Sequence, residues 1–361
     1  MGMAALERCE VVTPVDYRMS QSGVEKLEAF SAGIIRNPGR MIDPQIFDQI
    51  EEQIDLTRLI PGLASTIPYD DLLKALRLAL LTESATDTYS VQFQEVAAGH
   101  GASWLGAFNE KVWDPDEQTH RTPYFRTLVG MGCDPAELQR EMRQAQERQF
   151  DRKSANDPAS ATMFGTVQEL ITDTYHGAVA FTLKPYAPLA AHGIFLVKKR
   201  EKLHTEWYRK MTGIQLEHNP DLLANAAFIT AHFEMPEKQV APQYADRGGD
   251  YLLMMGMNRK QVVKDMMRVF HQLTGDIHKT GQFLLDVAAE RGITVKGISV
   301  RYLRSLLVQL QMTGFIGEVV LQSMGLSYLF QEEEQVSLKG RLRALLRNVV
   351  AERVGIASIA T

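Results

Sequence analysis

The sequence predicts an all-α protein built on a four-helix bundle. Two observations carry that expectation. Apolar residues recur at three-and-four spacing along much of the chain. A set of glutamates and histidines is also spaced as two helical hairpins would space it. Alternating β-branched runs are scarce in addition, and residues 292–300 (GITVKGISV) are the one modest strand candidate.

Along the chain, residues 1–66 are expected to form a helical segment packing on the bundle. Residues 67–247 form the bundle itself, and 248–361 a helical region completing the same globule. Pro68 and Asp70 mark a helix start before Leu72, Leu73, Leu76, Leu80 and Leu81, which share a face. The same spacing recurs over 136–150, 193–211, 259–273 and 300–321. Residues 151–160 (DRKSANDPAS) read as a polar connecting loop, and 235–250, with two prolines and Gly248-Gly249, as a second.

Composition narrows the class. With 361 residues, 45% apolar and 23% charged, the chain is globular rather than disordered or fibrous. Lys and Arg number 39 against 44 Asp and Glu, a net charge of −5, so no general nucleic-acid affinity is expected. Cys9 and Cys133 are too few for a disulfide framework or a thiolate zinc site and suit a reducing compartment. No secretory signal is visible at the start. The most apolar window, 185–197, falls short of the roughly 20 residues of a membrane span. A soluble, cytoplasmic protein is expected.

The chemistry lies in a duplicated pattern. Glu117-Gln-Thr-His120 and Glu201-Lys-Leu-His204 each place Glu and His at i, i+3, on one helix face. Each follows a lone glutamate at similar distance: Glu83 before Glu117, and Glu169 before Glu201. If each pair lies at one height on antiparallel helices, the turn must fall midway. Midway between 83 and 117 lies Gly99-His100-Gly101, and midway between 169 and 201 lies Pro185-Tyr186-Ala187-Pro188. Both are helix breakers. Two such hairpins bring Glu83, Glu117, His120, Glu169, Glu201 and His204 to mid-height, the donor set of a carboxylate-bridged di-metal site. Carboxylate and imidazole donors suit iron, and manganese fits them too. Glu117 has a second reading, since Asp114-Pro115-Asp116-Glu117 also looks like a helix start with Asp114 as cap and Glu117 in a capping role. His176, seven residues after Glu169, either lies near the cluster or simply packs.

These residues resemble the soluble acyl-carrier-protein desaturases, ferritin-like di-iron enzymes. Thr82-Glu83-x-Ala85-x-x-Thr88-Tyr89 is similar to that family's first-ligand helix. Gln168-Glu169-x-x-Thr172-x-x-x-His176-Gly177 is similar to its third. The resemblance implies that Thr172 lies on the oxygen-binding side of the cluster and that Trp113 lies near it; Tyr208 also fits. One departure stands out. The family carries an acidic residue before each Glu-x-x-His glutamate; Asp116 keeps it, whereas Arg200 does not.

What the resemblance implies is a desaturase with two iron ions that uses O2 and an external, ferredoxin-type electron donor. It would place a double bond in an acyl chain held on an acyl carrier protein, working as a homodimer. An alternative is a hydroxylase or N-oxygenase acting on a carrier-tethered intermediate. The related N-oxygenases have a further histidine where this chain has Val197. A non-catalytic ferritin-like metal-binding protein is the third reading. Lys198, Lys199, Arg200 and Lys202 read first as a solvated helix face, and otherwise as a basic patch for an acidic carrier.

Overall fold

Two long helical hairpins form the centre of the molecule. The computed structural model describes residues 14–151, 156–257 and 259–290. The helices in chain order are α1 (Gln21–Arg36), α2 (Leu56–Leu63), α3 (Tyr69–Ser84), α4 (Thr86–Gly99), α5 (Ser103–Phe108), α6 (Asp114–Gly130) and α7 (Pro135–Glu147). They continue with α8 (Pro158–Leu183), α9 (Pro188–His218), α10 (Leu223–Ala231), α11 (Glu237–Val240), α12 (Pro242–Ala245) and α13 (Gly248–Met254). The last two are α14 (Arg259–Thr274) and α15 (Ile277–Glu290). No strand occurs among the described residues, and none of their helices is long and apolar enough to cross a membrane. The strand candidate at 292–300 and the helix expected over 300–321 lie outside the described residues.

In the first hairpin α3 and α4 run up, and α5, a π-helical turn (Asn109–Trp113) and α6 run back. The reversal occurs at residues 100–102, where Gly101 takes φ +62, a left-handed backbone that glycine adopts without strain. In the second hairpin α8 and α9, about 39 and 46 Å long at 1.5 Å per residue, meet at Lys184–Ala187. Ala187 N there donates to Leu183 O at 2.8 Å, and Pro188 opens α9. Both reversals fall at the midpoints that the Glu/His spacing marks.

Helix starts follow local chemistry. Asp157 caps α8 by accepting from Ala159 N and Ser160 N at 2.9 and 3.1 Å, and Pro158 occupies the position where a missing N–H costs nothing. Asp134 and Pro135 open α7 in the same way. The polar loop expected over 151–160 therefore ends at Asp157. The loop expected over 235–250 is instead folded into α11, α12 and the start of α13, because Pro236 and Pro242 initiate short helical turns as readily as they end long ones.

Packing explains why α8 is central. From Pro158 to Thr172 every residue of it is buried, as expected of a helix covered on all sides. Gly165 lets α9 approach, since a Cβ there would lie 2.8 Å from the Tyr208 ring. Thr212 Oγ1 and Gln215 Nε2 both donate to Thr162 Oγ1, at 2.8 and 2.9 Å, a polar strut between the two helices. Helix α1 lies on α5 and α9, with Ser31 Oγ donating to Trp104 O at 2.8 Å. Helix α10 packs on α8 and α14 on α8 and α9, with α15 against α10 and α14.

Candidate metal centre

Each hairpin delivers three side chains to one level. Glu83 lies at the end of α3, Glu117 and His120 in the first turns of α6, Glu169 midway along α8, and Glu201 and His204 midway along α9. A one-residue break at Ala85 separates α3 from α4. A run of hydroxyls explains it: Thr82, Ser84, Thr86 and Thr88 each donate to a carbonyl three or four residues back, which bends helices. Upstream of Glu117, the π-turn carries the helix from α5 into α6 without a break, anchored by Asn109 Nδ2 donating to Ser90 Oγ at 2.9 Å. Asp114 accordingly has helical φ and ψ and caps nothing. The capping alternative for Glu117 is thereby removed; its Oε1 is buried without a hydrogen bond.

The six side chains form two overlapping tetrads. Glu83, Glu117, His120 and Glu201 offer donor atoms within 4.8 Å of one another, and so do Glu117, Glu169, Glu201 and His204. Glu117 and Glu201 belong to both. Glu117 turns Oε2 toward His120 Nδ1 (3.4 Å) and Oε1 toward His204 Nδ1 (2.8 Å). Glu201 turns Oε1 toward His120 Nδ1 (2.8 Å) and Oε2 toward His204 Nδ1 (3.7 Å). Glu83 lies 3.8 Å from His120 Nδ1, and Glu169 3.8 Å from His204 Nδ1. Each shared carboxylate thus presents one oxygen to each half.

The donors are dry and unsatisfied. No member is more than 4% exposed. Glu117 Oε1, Glu201 Oε2 and Nδ1 of both histidines make no hydrogen bond although atoms of opposite charge lie close by. Burial raises the carboxyls of Glu83 and Glu169, and neighbouring Glu201 adds to both. Burial opposes protonation of His120, but Glu117 and Glu201 outweigh it and push its pKa well up. Four carboxylates with two neutral imidazoles carry four negative charges, which two divalent cations would balance. The residues present therefore fit a pair of metal ions: hard oxygens, borderline nitrogens, and buried lone pairs with no other partner.

Surrounding groups hold these side chains in place. Trp113 Nε1 donates to Glu169 Oε1 at 3.0 Å. His204 Nε2 lies 2.9 Å from Asp116 Oδ2, which also accepts from Arg200 Nε. Arg200 is buried, donates to Pro38 O at 2.9 Å, and lies over the Trp207 ring. It is therefore no part of a solvated basic face. Lys198 is paired with Asp173, which leaves Lys199 and Lys202 as the exposed cations of that run. Thr172 Oγ1 is 3.2 and 3.1 Å from the carbonyls of Gln168 and Glu169.

Sequence spacing left His176 open, and the structure places it at the cluster. Its Nε2 lies 3.3 Å from Glu83 Oε1 and 3.4 Å from Glu201 Oε1, and its Nδ1 shares a hydrogen bond with Tyr124 OH. Burial opposes protonation, yet the two carboxylates raise its pKa to about 9. Beside it a narrow cleft reaches the cluster, lined by Thr82, Glu83, Thr172 and His176 among others, with about 30 Å³ of free space. That is room for about two water molecules. Glu237 also lines it, a residue that no spacing singled out.

Residues 48–253, more than half of the chain, match the family described as fatty acid desaturase. The chain belongs to that family. It is the family of soluble acyl-carrier-protein desaturases that the motifs around Glu83 and Glu169 resemble, and the matched span contains all six converging side chains. Membership makes the chain an oxidoreductase of desaturase type with a buried cluster able to hold metal. No curated protein matches the chain.

Proposed function

We propose that the cluster binds two iron ions and that the protein is an O2-dependent desaturase of acyl chains carried on an acyl carrier protein. The observation supporting this best is the sharing of Glu117 and Glu201 between two tetrads, each completed by one further glutamate and one histidine. In this reading Glu83 and His120 complete one position, and Glu169 and His204 the other. Iron bound there would supply reductive activation of dioxygen and removal of hydrogen from an unactivated carbon. The chain's own residues fix geometry and exclude water. Asp116 accepts from His204 and sets its tautomer, leaving Nδ1 free to face the cluster. Trp113 holds Glu169 in one rotamer. Thr172, which lines the cleft beside Glu83, is placed to hydrogen-bond a species entering it. Electrons come from a ferredoxin-type donor, and the working unit is a homodimer.

Oxygenation of a carrier-tethered intermediate is a second reading, favoured by one observation. His176 puts a third imidazole against Glu83 and Glu201, although Val197 occupies the position where the N-oxygenases carry theirs.

Metal analysis of the purified protein, followed by single-turnover mass spectrometry on a panel of acyl carriers, tests both. About two irons per chain and an alkene product are expected. An alcohol or nitro product selects the second reading. Metal-free protein, or mineralised iron without product, overturns both.

A further inference from the structure

The cleft beside the cluster is lined by one carboxylate, Glu237, with an oxygen that no group of the protein satisfies, although the carboxylate also bonds its own backbone N–H. Its apolar wall includes Leu78, Ala79, Ile171, Met235 and Leu252. Most of its other polar members are already engaged. Thr82 Oγ1 donates to Leu78 O at 2.9 Å, Tyr175 OH donates to Ala75 O at 2.8 Å, and Thr172 Oγ1 donates within its own helix. Glu83 and His176 face the cluster. Glu237 is different. The residue as a whole is half-buried, but its Oε2 is shielded from solvent and accepts no hydrogen bond. Neighbouring Lys238 turns to Glu234 instead, at 4.0 Å.

Electrostatics agree with the geometry. Burial raises the Glu237 carboxyl to about 7, so the group is available in both ionisation states near neutral pH. A buried acceptor with no donor is uncommon in folded proteins, and one on a residue that lines a cleft is open to a donor entering that cleft.

We infer that Glu237 is a recognition group of the substrate cleft, and that the chain oxidised at the centre carries a hydroxyl or amino group that donates to it. This rests on the reading of the cluster as an oxidant of acyl chains, and it names the class of chain. A donor on the chain would give Oε2 the hydrogen bond it lacks, whereas an unsubstituted hydrocarbon leaves it unpaired, as it is in the free protein. Because Glu237 is no part of the cluster, the donor it binds and the carbon that faces Glu83 are different atoms of one substrate. Entry requires the wall to yield, and Met235, with its unbranched thioether, is suited to that.

The test is calorimetric binding of three small probes to anaerobic, metal-loaded protein: pentanol, pentylamine, and butyl methyl ether, an isomer of pentanol without a donor. Wild type should bind the alcohol and the amine roughly ten-fold more tightly than the ether, the size expected of one hydrogen bond to a carboxylate. Glu237→Leu should remove or reverse that order. Isosteric Glu237→Gln should keep the alcohol and lose the advantage of the amine, which separates the two donor types and serves if the leucine variant is unstable. Equal affinities for the three probes in wild type, or the same order in all variants, or no binding of any probe, overturn the inference. Metal content is measured on the same samples. Full metal with no Glu237 effect removes this inference and leaves the desaturase reading standing, whereas absence of metal removes the reading beneath it.

Discussion

Around His204 the protein supplies an acceptor; around His120 it supplies none. The two halves of the centre have matching donors, one glutamate and one histidine each, with Glu117 and Glu201 between them. Their surroundings differ. His204 Nε2 meets Asp116, itself held by Arg200, whereas His120 Nε2 is buried without a hydrogen bond. Glu169 accepts from the Trp113 indole, whereas Glu83 faces the His176 imidazole. The cause is a single position. Asp116 precedes Glu117 on α6 and reaches across to the histidine of α9. Arg200 holds the equivalent place on α9 and, as a cation, cannot return the favour to His120. If the cluster holds two metal ions as proposed, duplicated donors with unequal support would make their positions unequal, because the supporting hydrogen bond orients a histidine and raises its basicity.

The largest effects should come from the carboxylates common to both halves. Glu201→Ala should strip most metal from the protein, and Glu117→Gln should come close, since a neutral amide replaces an anionic oxygen facing two positions. Glu83→Ala and Glu169→Ala each touch one half and should leave about one metal per chain. Metal analysis after desalting, with circular dichroism to confirm the helices, checks the ranking. Near-normal metal and turnover in Glu117→Gln would remove Glu117 from the proposed set.

Next in size is the unequal support itself. Asp116→Asn should lower metal affinity on the His204 side by roughly ten- to hundred-fold while sparing the other half. It should also lower Tm, because Arg200 is left buried beside a neutral partner, a loss of about 3–5 kcal/mol. Arg200→Met keeps the acceptor for His204 and should lower Tm less, with the metal asymmetry intact. Two equal metal affinities in wild type, by titration of the metal-free protein, would show the halves to be equivalent after all.

How much of this was legible beforehand differs by element. The reversals near 100 and 185 could be located because ligand-type residues at matched heights require a turn midway, and Gly101 and Pro188 are there to make it. The start of α8 was not marked, because residues 151–160 read as one polar loop although Asp157-Pro158 within it opens the helix. The break at Ala85 was not either, because alanine favours helix and the cause is a pattern of hydroxyls around it. The π-turn before Trp113 has no composition cue, so Glu117 kept a capping alternative that only the continuous backbone removes. Arg200 read as solvated because its partner Asp116 is 84 residues away and the pairing exists only once α6 and α9 pack. His176 shared a helix with Glu169, but a seven-residue spacing fits both packing and contact with the cluster. Glu237 lay in a stretch read as loop, where an acid attracts no attention.

A smaller effect should separate the two lone glutamates. Trp113→Phe removes the indole N–H from Glu169 while keeping an aromatic ring among Phe93 and Tyr208. The lost bond goes to a charged acceptor, so about 1.5–3 kcal/mol of support is at stake when the carboxylate is ionised. Metal should still bind, with affinity on the His204 side reduced by less than in Asp116→Asn. A variant with unchanged affinity would make Trp113 a packing residue only.

The smallest effect on metal is expected at Thr172, and it tests which face of the cluster meets oxygen. Its hydroxyl already has carbonyl acceptors in its own helix, so removing it leaves no buried donor unpaired and Thr172→Val should fold normally. Valine is close in shape, so the cleft beside Glu83 and His176 keeps its wall. Metal content should therefore stay at the wild-type level. What changes is the Thr172 hydroxyl in that wall, which can swing from a carbonyl toward a species near Glu83. Loss of one such hydrogen bond, about 1 kcal/mol net and more to a charged partner, should appear as slower product formation and a larger share of reduced oxygen released as peroxide. The ratio of peroxide to product, with metal content measured alongside, is the readout. Thr172→Ser should restore the wild-type ratio, since it returns the hydroxyl without the methyl. Identical ratios in wild type and Thr172→Val would place oxygen on the other side of the cluster, away from the cleft that Thr172 and Glu237 share.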